Sequence, residues 1–358
     1  MKNLQKIFKD KKILITGHTG FKGSWLSKIL LSWGSDVTGI ALKPNTKPNL
    51  FDSLKIKNKI NNYFIDIRKF KEIKEVLQKE KPEIVFHLAA QTLVRDSYDD
   101  PLYTFETNTL GTANILQAIK ETNTVKAVVV ITTDKVYKNE ESNHSFKEND
   151  KLGGHDPYSA SKAGAEMIVD SYIKSFFNPK NYGKLHRTLI ASARAGNVIG
   201  GGDWSKDRLV PDLIKATFKN KKVIIRSPEA IRPWQYVLEP LYGYLLLAEK
   251  LYKGKKEFSG AWNFGPNNQT FLTVEEFIKL AFKTLDKGSY TIKKDNTQKH
   301  EATLLKLNSS KAKKNLNWQQ VLDIDETLKL TFEWYKNFYS KKNIIDVTDQ
   351  QIKLFFNK

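Results

Sequence analysis

An α/β fold built on a doubly wound parallel sheet is what this sequence predicts, on three observations. Short apolar runs alternate with amphipathic stretches: KILITG (12–17), DVTGIAL (36–42), NYFIDI (62–67), EIVFHLA (83–89), VVVITTDKVY (128–137) and RTLIASARA (187–195). Helical spacing fills the intervals, from about Ser24, near 68–80, from Tyr103 to Glu121 and from about Ser159. Strand–helix–strand repetition of this kind gives right-handed crossovers with helices on both faces of the sheet. Finally, three glycines follow the first strand, at the place where a Rossmann-type sheet turns around a phosphate.

The rhythm changes after GNVIGGGDW (196–204), where segments become Pro-punctuated and aromatic, as in SPEAIRPWQYVLEPL (227–241) and GAWNFGP (260–266). Residues 1–196 are therefore expected to form a dinucleotide-binding domain. Residues 197–358 are expected to form mainly a smaller, discontinuous C-terminal substrate-binding lobe, with some segments returning to the sheet.

Composition narrows the function. The 358 residues are 40% hydrophobic and 27% charged, ordinary for a globular chain. No apolar run approaches the ~20 residues that span a bilayer. The N-terminus MKNLQKIFKDKK has no apolar segment ahead of a cleavage site, so a cytoplasmic location is expected. With no cysteine, thiol nucleophiles and disulfides are excluded, and six scattered histidines without HxxxH spacing speak against a metal. The formal charge of +20 comes from lysines spread along the whole chain, as in RKFKEIKEVLQKEK (68–81). That pattern points away from nucleic acid and towards a field that attracts anionic small molecules.

In ITGHTGFKGSWL (15–26), Gly17 allows the tight turn, Gly20 a close approach of backbone to pyrophosphate, and Gly23 the packing of helix on strand. The free amides of the helix N-terminus then face the anion. The acidic residue expected after the second strand is missing: Ala41-Leu42-Lys43 stands there instead. NAD affinity is accordingly expected to be weak, and Lys43 leaves NADP open. Asp66 and Ile67, after the third strand, are candidates for the adenine edge, and small residues in HLAAQ (87–91) let the backbone pass close to a cofactor.

The stretch DPYSASKAGAE (156–166) sets Tyr158 and Lys162 one helical turn apart on one face. A nearby ammonium favours phenolate and is expected to lower the Tyr158 pKa, making it a general base towards a carbinol. Thr133, Asp134 and Lys135 end the fifth strand on the same edge as the glycine turn. Ligands of a parallel sheet lie beyond that edge, so the acid and the amine are expected to point into the site.

GHTGFKGSW, TTDK, YSASK, NVIGGGDW and RPWQYVLEPL together resemble the CDP-glucose 4,6-dehydratase family of extended short-chain dehydrogenases/reductases, over about residues 10 to 335. The glycine turn and YxxxK mark only the superfamily; the Asp-Lys pair and RPWQxVLEPL mark the branch. The resemblance implies an NAD-dependent lyase that makes CDP-4-dehydro-6-deoxyglucose by C4 oxidation, loss of water across C5 and C6, and hydride return to C6. It implies that Tyr158 takes the 4-hydroxyl proton, Asp134 protonates the leaving 6-hydroxyl and Thr133 holds the 4-oxygen. Lys135 is then either the C5 base or a charge stabiliser beside another base. Cofactor contacts implied are Gly17, Thr19, Gly20, Phe21, Lys22, Gly23, Asp66, Ile67, Leu88, Ala89, Ala90, Thr132, Tyr158 and Lys162. Substrate contacts implied are Gln91, Val94, Arg95, Asn197, Arg208, Arg232, His300 and Glu301, the two arginines facing the diphosphate. A homodimer is implied too, paired through the helices near 103–121 and 159–177, with Leu110, Ile115, Ile168 and Tyr172 outward. The alternatives are a nucleotide-sugar 4-epimerase, a dehydratase for another nucleotide hexose, or a non-catalytic dinucleotide-binding protein.

Overall fold

The first six apolar runs become strands of one sheet: β1 (Lys12–Thr16), β2 (Asp36–Ala41), β3 (Asn61–Phe64), β4 (Ile84–His87), β5 (Ala127–Ile131) and β6 (Leu189–Arg194). A seventh, β7 (Gly260–Asn263), pairs with β6. All neighbours are parallel, in the order β7–β6–β5–β4–β1–β2–β3. The order reverses between β1 and β4, which opens the crevice where such sheets hold ligands. The computed structural model describes residues 2–140, 143–266, 271–293 and 305–358.

Alternate strand residues enter different cores, as the two-residue period of a strand requires. Ile13, Ile15 and Val129 pack on one face with Trp25 and Leu26 of α1 (Phe21–Ser32). Leu14, Val128 and Val130 pack on the other with α2 (Phe70–Glu80), α3 (Gly111–Thr122) and α4 (Pro157–Ser175). Later helices α5 (Leu209–Phe218) and α6 (Leu238–Tyr252) follow, α6 lying on the first face with Leu241, Tyr244 and Leu245.

Three details differ from the sequence reading. GAWN, read as part of an irregular lobe, is the sheet's edge strand β7; four residues carry little periodicity, and pairing with β6 supplies what local propensity lacks. The helix expected from Tyr103 starts at Pro101, capped by Asp100, and is interrupted by a π-turn over Glu106–Leu110 before α3. That extra residue turns buried Asn108 inward, where it bonds Gln91 and Ser161. Ile115, expected outward, is fully buried in the core beneath α3.

RPWQYVLEPL fastens the later segments to the sheet. Gln235 donates to the carbonyls of Gly196 and Phe264, and the Tyr236 hydroxyl donates to Gln351. Buried Glu239 accepts from the backbone amides of Val321 and Leu322.

Candidate active site

At the carboxyl end of β1 the chain turns sharply, with Gly17 at φ +75. A Cβ there would lie 2.7 Å from the Ala89 nitrogen, and one at Gly23 would lie 2.1 Å from the Gly17 carbonyl oxygen. Both are closer than any side chain tolerates. At Gly20 the nearest atom would be 3.4 Å away, so the fold alone admits a side chain. The bare backbone at Gly20 instead leaves the α1 N-terminus open to an anion.

Behind this turn, Thr16 accepts the Ala89 amide and bonds His87 Nδ1 at 2.7 Å, while His87 Nε2 meets Thr112 at 3.1 Å. Burial pushes His87 down to about 3, so it is a neutral strut joining β1, β4 and α3. Leu88, Ala89 and Ala90 follow it along the crevice. Thr19 donates to the Leu42 carbonyl, tying the turn to the end of β2. Asp66 pairs with Arg68 at 2.8 Å, and Arg68 lies over the Tyr103 ring. Although burial opposes it, Arg68 holds the Asp66 carboxyl below its usual value. Ile67 is buried against Gly111.

A cavity of ≈ 750 Å³ adjoins the carboxyl ends of the strands, the size of a small-molecule site. Phe21, Lys22, Thr132, Thr133, Asp134, Lys135 and Tyr158 line one side; Asn197, Arg208, Arg232 and Trp234 line the other. Val94 and Arg95 border it, whereas Gln91 does not: its amide is turned into its own loop, donating to Leu93 and Thr104. His300 and Glu301 lie outside the described residues.

Thr133 joins the two reactive groups. Its hydroxyl donates to Asp134 Oδ1 at 2.9 Å, and it also acts on the Tyr158 phenol, drawing its pKa down. Burial raises the Asp134 pKa against the pull of Lys135, Thr133 and Arg232, which favours a carboxylic acid. Tyr158 departs from the expected direction. Burial pushes it up to about 12, outweighing the Thr133 hydrogen bond and Arg208. Lys162 Nζ is held 2.9 Å from the Ile131 carbonyl, and burial brings Lys162 down to about 8, with Glu166 opposing. The i, i+4 spacing correctly put both groups on one face, but spacing says nothing about desolvation.

Glu166, a further turn along α4, anchors the floor of the site. It accepts from Thr132, Ser192 and Arg194, the last at 2.8 Å, all buried. Arg194 continues to the Tyr137 hydroxyl, and Tyr137 to Asn263 of β7. On the far wall Arg208 pairs with Asp203 and reaches Thr92, and Arg226 pairs with Asp207.

A family model described as GDP-mannose 4,6 dehydratase matches residues 14–331, nearly the whole chain. The chain belongs to that family. Among curated relatives of this dehydratase family, the chain is 44% identical to the CDP-glucose 4,6-dehydratase of Salmonella typhimurium, over 97% of each protein. The fold matches dTDP-glucose 4,6-dehydratase from Streptomyces venezuelae, solved with NAD bound, at a TM-score of 0.77 and 22% identity, covering 92% of this chain and 98% of that one. It equally matches UDP-glucose 4-epimerase from Thermotoga maritima at 0.78 and 22%, covering 91% and 99%. Fold likeness at that identity does not separate dehydration from epimerisation.

Sequence reasoning passed over several residues of this dehydratase site. Asp203 and Arg226 carry no local signal, being ordinary charges in loops. Tyr244 sits mid-helix among leucines and reads as core, yet its buried hydroxyl has no partner among the described residues. Glu166 was in plain view at i+8 from Tyr158, on the same helical face.

Proposed function

We propose that this chain is an NAD-dependent lyase that dehydrates CDP-D-glucose to CDP-4-dehydro-6-deoxy-D-glucose. The observation that carries this reading is the acid at the end of β5: Asp134 is buried, bonded to Thr133, and lines the same cavity as Tyr158, with burial raising its pKa. A 4-epimerase removes a hydride from C4 and returns it to the opposite face of C4, and needs no acid for a leaving hydroxyl. The cytidine assignment is supported by the 44% identical relative.

The glycine turn, the open α1 N-terminus and the close passage of Ala89 fit a dinucleotide diphosphate. NAD, when bound, supplies a hydride acceptor and the positive charge of its oxidised ring. Tyr158 accepts the 4-hydroxyl proton, and the cations Lys162 and Arg208 favour its ionised form. Thr133 donates to the charge developing on the 4-oxygen. Lys135, on the cavity wall, removes the C5 proton, and Asp134 gives its proton to the departing 6-hydroxyl. Arg208 and Arg232 bind the substrate diphosphate, with Asn197 beside them.

Residues 1–196 serve the dinucleotide and residues 197–358 mainly the nucleotide sugar, β7 excepted. No helix among the described residues is long and apolar enough to cross a membrane. The working form is a cytoplasmic homodimer. Leu102, Phe105, Leu110 and Met167 are exposed on the neighbouring helical segments 101–110 and α4, an apolar face suited to a second copy. The deciding experiment is mass spectrometry of the product from CDP-glucose with added NAD. Loss of one water supports the lyase, an unchanged mass with inverted C4 means an epimerase, and unaltered substrate means neither.

A further inference from the structure

Part of the cavity wall is one face of α5. Arg208 at its N-cap, Asp212 and Ala216 recur every four residues, so they follow one another turn by turn, and all three line the cavity. The strand Val223–Ile225 packs beside α5. Leu209, Val223, Ile225 and Val274 add apolar wall to the same cavity, a surface suited to a flat ring.

Asp212 stands out on this wall. It is half-buried, yet its carboxylate makes no hydrogen bond or ion pair among the described residues. The cations that act on it are engaged elsewhere: Lys215 donates to the Trp204 carbonyl, and Arg226 pairs with Asp207 at 3.2 Å. A polar group left so in a cavity wall gains from a donor that a ligand brings. That ligand group is not the diphosphate, which a carboxylate repels. The diphosphate belongs with Arg208, one turn or about 6 Å earlier along the helix. The ribose of a nucleotide spaces its base from its diphosphate by a comparable length.

We propose that Asp212 selects the base of the nucleotide sugar, accepting a hydrogen bond from the exocyclic amino group of cytosine. The inference rests on the nucleotide-sugar reading above and goes further, because it gives the choice of base to one side chain. An ionised carboxylate only accepts. Cytosine carries an amino group where uracil and thymine carry a carbonyl oxygen. With uracil, two acceptors face each other, and both lose water without gaining a donor. The apolar walls hold either pyrimidine ring, so the discrimination falls on Asp212.

Calorimetric titration with CDP and with UDP at pH 8 tests this on wild type, Asp212→Asn and Asp212→Ala. The two nucleotides share ribose and diphosphate and differ only at the base. Wild type should bind CDP more tightly than UDP. Asp212→Asn, whose amide can turn either its oxygen or its nitrogen to the ligand, should narrow that preference. The narrowing should be on the order of 10- to 100-fold, the worth of a hydrogen bond to a charged group. Asp212→Ala should narrow it as far, weakening CDP and sparing UDP. Binding of NAD at wild-type strength reports that the variants keep the fold. A preference for CDP that survives both substitutions overturns the proposal alone, as does equal binding of CDP and UDP by wild type. Equal weakening of CDP and UDP in both variants makes Asp212 structural and overturns it too. Wild type that binds neither nucleotide overturns the nucleotide-sugar reading and this inference with it.

Discussion

Gly196 lies so close to Asp134 that a Cβ on residue 196 would stand 1.9 Å from Asp134 Oδ2. The missing side chain is what gives the carboxyl its place, and Gln235 holds the strip by donating to the Gly196 carbonyl. Gly196→Ala should therefore displace the acid without touching Tyr158. Its overpacking cost is about 1–3 kcal/mol. Dehydration should fall on the order of 10²- to 10⁴-fold, as for loss of a general acid. Asp134→Asn should match it, both proteins retaining C4 oxidation, visible as NADH absorbance in a single turnover. Full dehydration by Gly196→Ala would show that the carboxyl tolerates another position.

Lys135 and Tyr158 should fail at different steps. Tyr158→Phe removes the group that starts hydride transfer, so neither NADH nor product should form. Lys135→Met keeps length but deletes the amine, so NADH should accumulate while exchange of the C5 proton with deuterated solvent slows on the order of 10²-fold or more. Exchange at the wild-type rate in Lys135→Met would assign the base elsewhere.

Glu239 makes stability depend on pH in a direction unusual for a carboxylate. Burial raises it from 4.5 to about 8 despite its backbone donors. The folded state thus holds a proton that the unfolded state releases above about 4.5. Its stabilising contribution is complete below that value and is lost as pH rises through about 8. The difference in urea midpoint between wild type and Glu239→Gln should favour wild type more at pH 5 than at pH 8. A difference independent of pH would mean that the carboxyl is ionised throughout.

Arg194 and Glu166 form a buried ion pair at 2.8 Å under the catalytic strand. Arg194→Met leaves Glu166 without its charge partner, and unfolding stability should fall by about 3–5 kcal/mol. Denaturant titration measures this directly. A loss under 1 kcal/mol would show that Thr132 and Ser192 suffice for Glu166.

The proposed dimer sets Leu110 and Met167, 58% and 57% exposed on neighbouring helical segments, against a second copy. Leu110→Lys combined with Met167→Glu should convert a dimer to a monomer in light scattering at micromolar concentration. Wild type running as a monomer would remove the dimer.

β1, β4 and β5 were legible because strands buried on both faces are almost continuously apolar, while the half-exposed β3, NNYF, was legible only from its place in the strand–helix alternation. The glycine turn, YxxxK and the strand-end Asp-Lys were legible for a related reason, since each is a local spacing with a local consequence. What the sequence by itself determined was which residues stand at the carboxyl edge of the sheet. The tertiary structure alone decided their chemistry. Burial, which depends on segments far along the chain, raises the pKa of Asp134 and of the Tyr158 phenol and lowers that of Lys162. It likewise made a strand of GAWN, a π-turn of 106–110 and a core residue of Ile115. Desolvation and strand pairing are properties of the assembled neighbours, and no window of sequence contains them.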